Sequence, residues 1–316
     1  MTLRIGIIGC GEHSDIGHGV PLARYAAEHP GTVSLVAACD LRRERAELFR
    51  EKHGFRQAYV SLDDMLARET LDACISIVPV ERIPDVAMTL LEQKIPCVVE
   101  KPLGSTFAEV EKLAEVARLT RTPNMVSVNR RFMPLLIHGM DWARSTGPLR
   151  YVRATMLRHN RTEAEFLRFT AIHALDTVRF IAGDFAASSV QVLPAAARSY
   201  AIDLVFESGV CGRIDVLPAT GLLEETYEMM GDGFRVVVTS PFGPQRLLRC
   251  YREGRLLLED VAGPQTPEDI TFGFYGEVEE LIEALKNGRN PQPSIEEIFP
   301  SVRACFELAL QAESGA

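Results

Sequence analysis

The chain of 316 residues has no apolar run close to the roughly 18 residues a membrane span requires, because charges, glycine or proline interrupt every apolar stretch. No membrane role is expected on that ground. It also lacks a basic excess: 34 Lys and Arg stand against 43 Asp and Glu, a formal net charge of -9, whereas general nucleic-acid binding needs a basic footprint. Its seven cysteines are odd in number, widely spread and without a C-x-x-C pair, which points to free thiols in a reducing, cytoplasmic compartment. No small-residue cleavage site follows the apolar start, since Ile5-Gly6-Ile7-Ile8-Gly9 runs straight into Cys10-Gly11-Glu12. Internal repeats and low-complexity segments are missing too. What is present is ordinary for a soluble globular protein, 47% hydrophobic and 24% charged residues, in a chain longer than one compact domain needs.

Up to about residue 130, apolar runs at Leu3 to Ile8, Val33 to Cys39, Ala73 to Val78, Cys97 to Val99 and Met125 to Val128 alternate with amphipathic stretches of helical length. Parallel strands joined by crossover helices produce this rhythm, and near-continuous Val, Ile and Ala suit strands covered on both faces. One such helix, Ala108 to Ala117, sets Val110, Leu113 and Ala117 on a single stripe. Beyond it the pattern becomes short strands joined by hairpins: Leu149 to Leu157, Ser189 to Leu193, Tyr200 to Phe206, Val210 to Leu217, Phe234 to Thr239, Arg246 to Tyr251 and Leu256 to Val261. Helical periodicity returns at Thr170 to Ile181, Glu277 to Lys286 and Ile295 to Leu310. The expected fold class is α/β over residues 1-132, followed by an α+β domain over residues 133-316 built on a mostly antiparallel sheet.

Gly9-Cys10-Gly11-Glu12-His13-Ser14 follows the first strand directly and precedes a helix that runs to about Glu28. This G-x-G-x-x-S is a dinucleotide-binding turn: Gly9 makes the tight turn, Gly11 lets the backbone approach a pyrophosphate, and Ser14 is small enough for close helix packing. The helix N-terminus meets the phosphate charge. Asp40 ends the second strand, at the spacing from which a carboxylate reaches the adenosine ribose hydroxyls. That favours NAD; Arg42 and Arg43 follow and suit a 2′-phosphate, so NADP stays open. A helix N-cap is the plainer role for Asp40. At the end of a later strand Glu100-Lys101-Pro102 delivers a carboxylate and an ammonium to the carboxyl ends of the strands, where ligands of such sheets bind. An ammonium there stabilises a developing alkoxide and orients the alcohol; an exposed surface lysine is the alternative.

A Rossmann turn at the N-terminus, Glu-Lys-Pro near residue 100 and a His-x-x-Asp helix, in that order, resemble the Gfo/Idh/MocA family of oxidoreductases. The likeness extends to Val126-Ser127-Val128-Asn129-Arg130-Arg131-Phe132-Met133-Pro134, to Phe274-Tyr275-Gly276-Glu277 and to Pro291-Gln292-Pro293-Ser294. It implies a Rossmann domain followed by a domain with an open sheet whose exposed face commonly makes homodimers or homotetramers. The family motif resembles D-x-G-x-H-x-x-D; the matching stretch keeps His173 and Asp176 but carries Phe169 in place of Asp and Ala171 in place of Gly. The implied catalytic residues are Lys101 on the substrate, His173 as acid/base, and Asp176 supporting it one helical turn onward; the alternatives are a satisfied histidine on an apolar helix face and a purely structural Asp176. Gly9, Gly11, Ser14, Asp40, Pro79, Glu100 and Lys101 are the implied cofactor residues. Of the family's T-P-N-x-x-H only Pro79 survives in Val78-Pro79-Val80-Glu81-Arg82-Ile83.

No further His or Cys lies near His173 and Asp176 to complete a ligand set, so no metal is expected. Arg158-His159-Asn160-Arg161 and Arg168 are either a guanidinium cluster for an anionic substrate group or a solvated loop. The expected function is a cytoplasmic NAD(P)-dependent oxidoreductase moving a hydride between nicotinamide and a secondary carbinol of a sugar, polyol or related small molecule. The alternative, motivated by Phe169, is a cofactor-binding sensor or regulatory protein of the same fold without redox turnover.

Overall fold

The computed structural model describes residues 2–161, 163–193 and 198–314, and its contacts divide the chain into two units. The first comprises Met1–Val128 with Phe274–Phe299, the second Asn129–Gly273 with Pro300–Ala316. The first unit is built on a six-stranded parallel sheet. Its strands are β1 (Leu3–Ile8), β2 (Val33–Cys39), β3 (Gln57–Tyr59), β4 (Ala73–Ser76), β5 (Cys97–Glu100) and β6 (Asn124–Ser127). They lie in the order β3-β2-β1-β4-β5-β6, the doubly wound arrangement in which ligands bind at the strands' carboxyl ends, where the order reverses. The sheet is apolar on both faces because helices cover both: Ile5, Ile7, Ala37, Ala38, Ala73, Cys97 and Val99 are all fully buried.

The sequence boundary after residue 132 leaves both C-terminal helical stretches in the second domain, whereas Phe274–Phe299 clusters with the first unit. The reason is local. Helix Phe274–Lys286 buries Val278, Leu281 and Ile282 and packs on the helix Val20–Glu28. The edge strand β6 also finds partners there: Val126 N donates to Pro293 O at 2.8 Å, and the Asn124 carboxamide oxygen accepts from Ile295 N at 2.8 Å. Sequence periodicity detects a helix but not the sheet edge it protects.

The second unit carries an eight-stranded sheet in the order β14-β13-β12-β11-β7-β10-β9-β8. Its strands are β7 (Leu149–Leu157), β8 (Phe185–Val192), β9 (Tyr200–Phe206), β10 (Cys211–Leu217), β11 (Glu224–Gly231), β12 (Phe234–Thr239), β13 (Leu247–Arg252) and β14 (Arg255–Val261). All neighbours pair antiparallel except β7 with β10. One face packs under the helices Pro134–Thr146 and Ile172–Ala182, through Val152, Ala154, Met156, Ile214, Val236, Val238 and Leu248, each at most 1% exposed. The other face is open and laced with ion pairs, Arg153 with Asp215, Arg213 with Asp203 and Arg249 with Glu259. The mostly antiparallel open sheet agrees with the expectation. Among the elements unread in the sequence are β3, which is only three residues long, the helix Pro134–Thr146, and β11. Strand β11 alternates as a strand should, but one of its inward positions is the charged Glu225.

Glu225 is fully buried. Its carboxylate accepts from Arg130 at 2.8 and 3.1 Å, from Tyr227 Oη at 2.8 Å and from Arg158, while Phe242 stacks under both guanidinium groups. Burial by itself raises a carboxyl pKa, but the two arginines outweigh it and hold Glu225 down at about 2 against an ordinary 4.5. A carboxylate depressed in the folded state stabilises above its ordinary pKa, and that contribution is lost as pH falls from about 4.5 to about 2. The one tryptophan, Trp142, lies in this unit on helix Pro134–Thr146 and reports its unfolding. Melting followed by Trp142 fluorescence is expected to drop steeply across that acid window. The Glu225→Gln variant, less stable at neutral pH, should show a shallower drop, and equal slopes in the two proteins would contradict the assignment.

Candidate functional site

In the first unit, the turn after β1 shows why its glycines stand where they do. Gly9 has φ +87°, and a Cβ there would lie 1.8 Å from the Ile77 carbonyl oxygen, so no other residue lets the turn pass the exit of β4. A Cβ on Gly11 would meet nothing within 4 Å, leaving open surface above the turn. The backbone then continues helically as Glu12–Ser14, a π-helical segment Asp15–Gly19, and Val20–Glu28. Ser14 is fully buried at the foot of this run, and among the described residues its Oγ has no hydrogen-bond partner. Alanine at Gly9 is expected to cost at least the ~1–3 kcal/mol of a left-handed non-glycine residue, and more through the clash. The measurement is the melting temperature together with NADH affinity, both of which should fall.

Asp40 stands just past β2. Its Oδ2 accepts from Cys10 N at 2.9 Å and its Oδ1 from Arg42 N at 2.8 Å. The carboxylate therefore ties the first turn to the exit of β2 and keeps lone pairs for further donors, as a ribose diol supplies. It does not cap the next helix: the N-cap of Arg43–His53 is Arg42, without a side-chain cap. Arg42 and Arg43 are exposed. Pro79 is exposed beyond β4, before the short 3-10 turn Val80–Arg82. Glu100 ends β5, 8% exposed; half-buried Lys101 follows, joined to Pro102 by a cis peptide bond. The left-handed Gly9, the open surface over Gly11, the orphaned Ser14 hydroxyl and the anchored Asp40 fit a dinucleotide.

Glu100 has company that the sequence reading did not assemble. Its Oε2 lies 3.4 Å from His13 Nε2 and 3.6 Å from His18 Nε2. Burial is the largest influence on Glu100 and raises its pKa, but the two imidazoles and the Lys101 ammonium together outweigh it and keep the group a carboxylate. His18 is 3% exposed, and burial dominates there in the opposite sense, lowering its pKa so that the imidazole is neutral near pH 7.

In the second unit, His173 is half-buried in the first turn of helix Ile172–Ala182, where its carbonyl accepts from Thr177 Oγ1 at 2.5 Å. Asp176, implied as its support, is fully buried elsewhere. Its two oxygens take a bidentate pair from Arg131 at 2.6 and 2.7 Å, and Oδ1 also accepts from Ser301 Oγ at 2.8 Å. Arg158 is likewise withdrawn from the expected guanidinium cluster, since it is 5% exposed and committed to Glu225. Of the rest of that cluster, exposed His159 has its Nδ1 2.8 Å from Gly221 O and exposed Arg161 pairs with Glu163, while half-buried Arg168 lies over the Phe169 ring at 5.9 Å. Arg130, Arg131, Glu225 and Ser301 carry no local signal, because their partners are 95, 45, 95 and 125 residues away.

Among the described residues no helix is long and apolar enough to cross a membrane. Residues 3–129 match the Gfo/Idh/MocA oxidoreductase family with its NAD-binding Rossmann fold. The chain is 22% identical to an uncharacterized protein of Saccharomyces cerevisiae over 65% of its own length, and spans 62% of that relative. It is 23% identical to the myo-inositol 2-dehydrogenase of Thermotoga maritima, with 93% of this chain and 92% of that one covered. The crystal structure of an oxidoreductase from Agrobacterium radiobacter in complex with NAD+, L-tartaric acid and magnesium superposes with a TM-score of 0.80 at 17% identity, covering 99% of this chain and 97% of the other. Strand order, glycine turn and family match agree: residues 3–129 form a Rossmann unit that matches the Gfo/Idh/MocA family of oxidoreductases.

Proposed function

We propose that this protein is an NAD(P)-dependent dehydrogenase that moves a hydride between nicotinamide and a secondary carbinol of a sugar, polyol or related small molecule. The observation that carries the reading is the pairing, within one parallel sheet, of a dinucleotide turn at Gly9 with an ammonium, Lys101, just past the carboxyl end of β5. The similarity to a myo-inositol 2-dehydrogenase supports a polyol as the substrate class. When bound, the nicotinamide supplies the hydride acceptor. Lys101 orients the carbinol and stabilises the oxygen as negative charge develops on it. His173 takes the hydroxyl proton as general base. Asp176 contributes through the fold: with Arg131 and Ser301 it anchors the helix that carries His173. Gly9, Gly11, Ser14 and Pro79 shape the cofactor's surroundings, and Asp40 accepts from the adenosine ribose. We further propose that the open sheet face of the second unit joins copies into homodimers or homotetramers, which light scattering of the purified protein checks.

The test is a fluorescence titration with NADH and separately NADPH, followed by a panel of polyols and sugars with NAD+ while reduced nicotinamide is monitored. NADH is expected to bind more tightly. Asp40→Ala should weaken NADH roughly 10- to 100-fold, the value of one hydrogen bond to a charged group, and leave NADPH less affected. Phe169 and Ala171, which replace an acidic residue and a glycine of the family motif, favour a second reading, a cofactor-binding sensor without turnover. Stereospecific NADH formation that disappears in Lys101→Ala would eliminate the sensor.

A further inference from the structure

His13, His18 and Glu100 place three ligand atoms within 4.8 Å of one another, the one such cluster found among the described residues. From this geometry we propose that the first unit binds one Zn2+ or similar borderline divalent cation through His13 Nε2, His18 Nε2 and Glu100 Oε2. The cluster borders the dinucleotide turn, with His13 inside that turn and Glu100 among the implied cofactor residues, but cation binding there does not require a dinucleotide.

Three observations support it. The first is distance. A tetrahedral ion with bonds of ~2.0–2.2 Å sets its ligand atoms about 3.3–3.5 Å apart, and Glu100 Oε2 lies 3.4 and 3.6 Å from the two imidazole nitrogens. These two separations exceed a good N–H···O bond and match two edges of a coordination tetrahedron, while all three ligand atoms lie within 4.8 Å of one another. The second is polar accounting. His18 and Glu100 are 3% and 8% exposed, yet among the described residues neither His18 Nε2 nor Glu100 Oε2 has a hydrogen-bond partner. Two buried polar atoms aimed at one point are costly unless something there satisfies both.

The third is backbone. Residues five apart on an α-helix point about 140° away from each other. Here the segment Asp15–Gly19 is π-helical, and its wider turn brings positions 13 and 18 to the same side. Single π turns recur at functional sites. The cluster is walled by Phe274, whose ring centroid lies 6.1 Å from that of His13 and 6.3 Å from that of His18; this strengthens charge interactions inside. His13 is more than half exposed, so the fourth position faces solvent, as in zinc sites that keep one place for an exchangeable ligand. Two imidazoles and one carboxylate suit Zn2+, Co2+ or Fe2+, whereas Mg2+ and Ca2+ take oxygen sets.

The experiment is a titration of the chelator-treated full chain with Zn2+, and with Co2+ as a visible-absorption probe, without cofactor present. The exposed thiol Cys211 is replaced by Ser throughout to remove an adventitious ligand. One equivalent of Zn2+ should bind, and Co2+ should show the visible bands of a four-coordinate nitrogen and oxygen site without thiolate charge transfer. Because His13 is exposed, His13→Ala should keep the circular dichroism of the parent while its Zn2+ affinity falls at least tenfold. Absence of stoichiometric binding, affinity unchanged in His13→Ala, or a thiolate Co2+ spectrum would each overturn the proposal.

Discussion

Alanine at His173 is expected to lower turnover by roughly two to four orders of magnitude, the usual contribution of a positioned general base, while NADH affinity and the melting temperature stay close to those of the parent. The side chain is half-buried at the start of helix Ile172–Ala182 rather than in its core, so truncation leaves no large cavity. A substrate held by Lys101 but without a base loses rate in the chemical step, so the deficit belongs in kcat more than in KM. Turnover unaffected by the substitution would take His173 out of the reaction.

Asp176→Ala is expected to fail in a different way. This carboxylate is fully buried, and removing it takes a bidentate partner from the Arg131 guanidinium, itself 7% exposed. Breaking a buried pair from one side costs about 3–5 kcal/mol, a large part of the total stability of most domains. The expected result is a strongly lowered unfolding midpoint followed by Trp142 fluorescence, with activity lost in step with the fold. Asp176→Asn, which keeps the shape and one acceptor for Ser301, should recover part of both. A well-folded Asp176→Ala protein with depressed turnover would instead return Asp176 to the chemistry beside His173.

These two residues share one motif three positions apart and are expected to differ in kind, which no pattern in the chain announces. Both lie on the same helix, but the partner of Asp176 is Arg131, 45 residues earlier, and its second donor is Ser301, 125 residues later. The same holds for Arg158. In the sequence it heads a basic cluster; in the fold it is drawn inward by Glu225, while Arg161 and His159 stay at the surface.

The sequence by itself determined whatever depends on neighbours along the chain. The limits of β1, β2, β7, β9 and β12 follow from apolar runs and alternation, and the turn at Gly9 from the need for a left-handed residue after a buried strand. The resemblance to the family whose model matches residues 3–129 followed from motifs kept in order. Only the tertiary structure decided what depends on partners far apart: that Phe274–Phe299 completes the first unit by covering β6, that Glu225 faces inward on β11, and that Asp176 anchors its helix. It also decided that His13 and His18 meet Glu100. Five residues apart is not an α-helical repeat, and only a π-helical turn, packed against the helices Phe274–Lys286 and Arg43–His53, aligns them. Local periodicity is set by backbone geometry, whereas charge pairing in a low-dielectric interior is set by which elements the fold brings together.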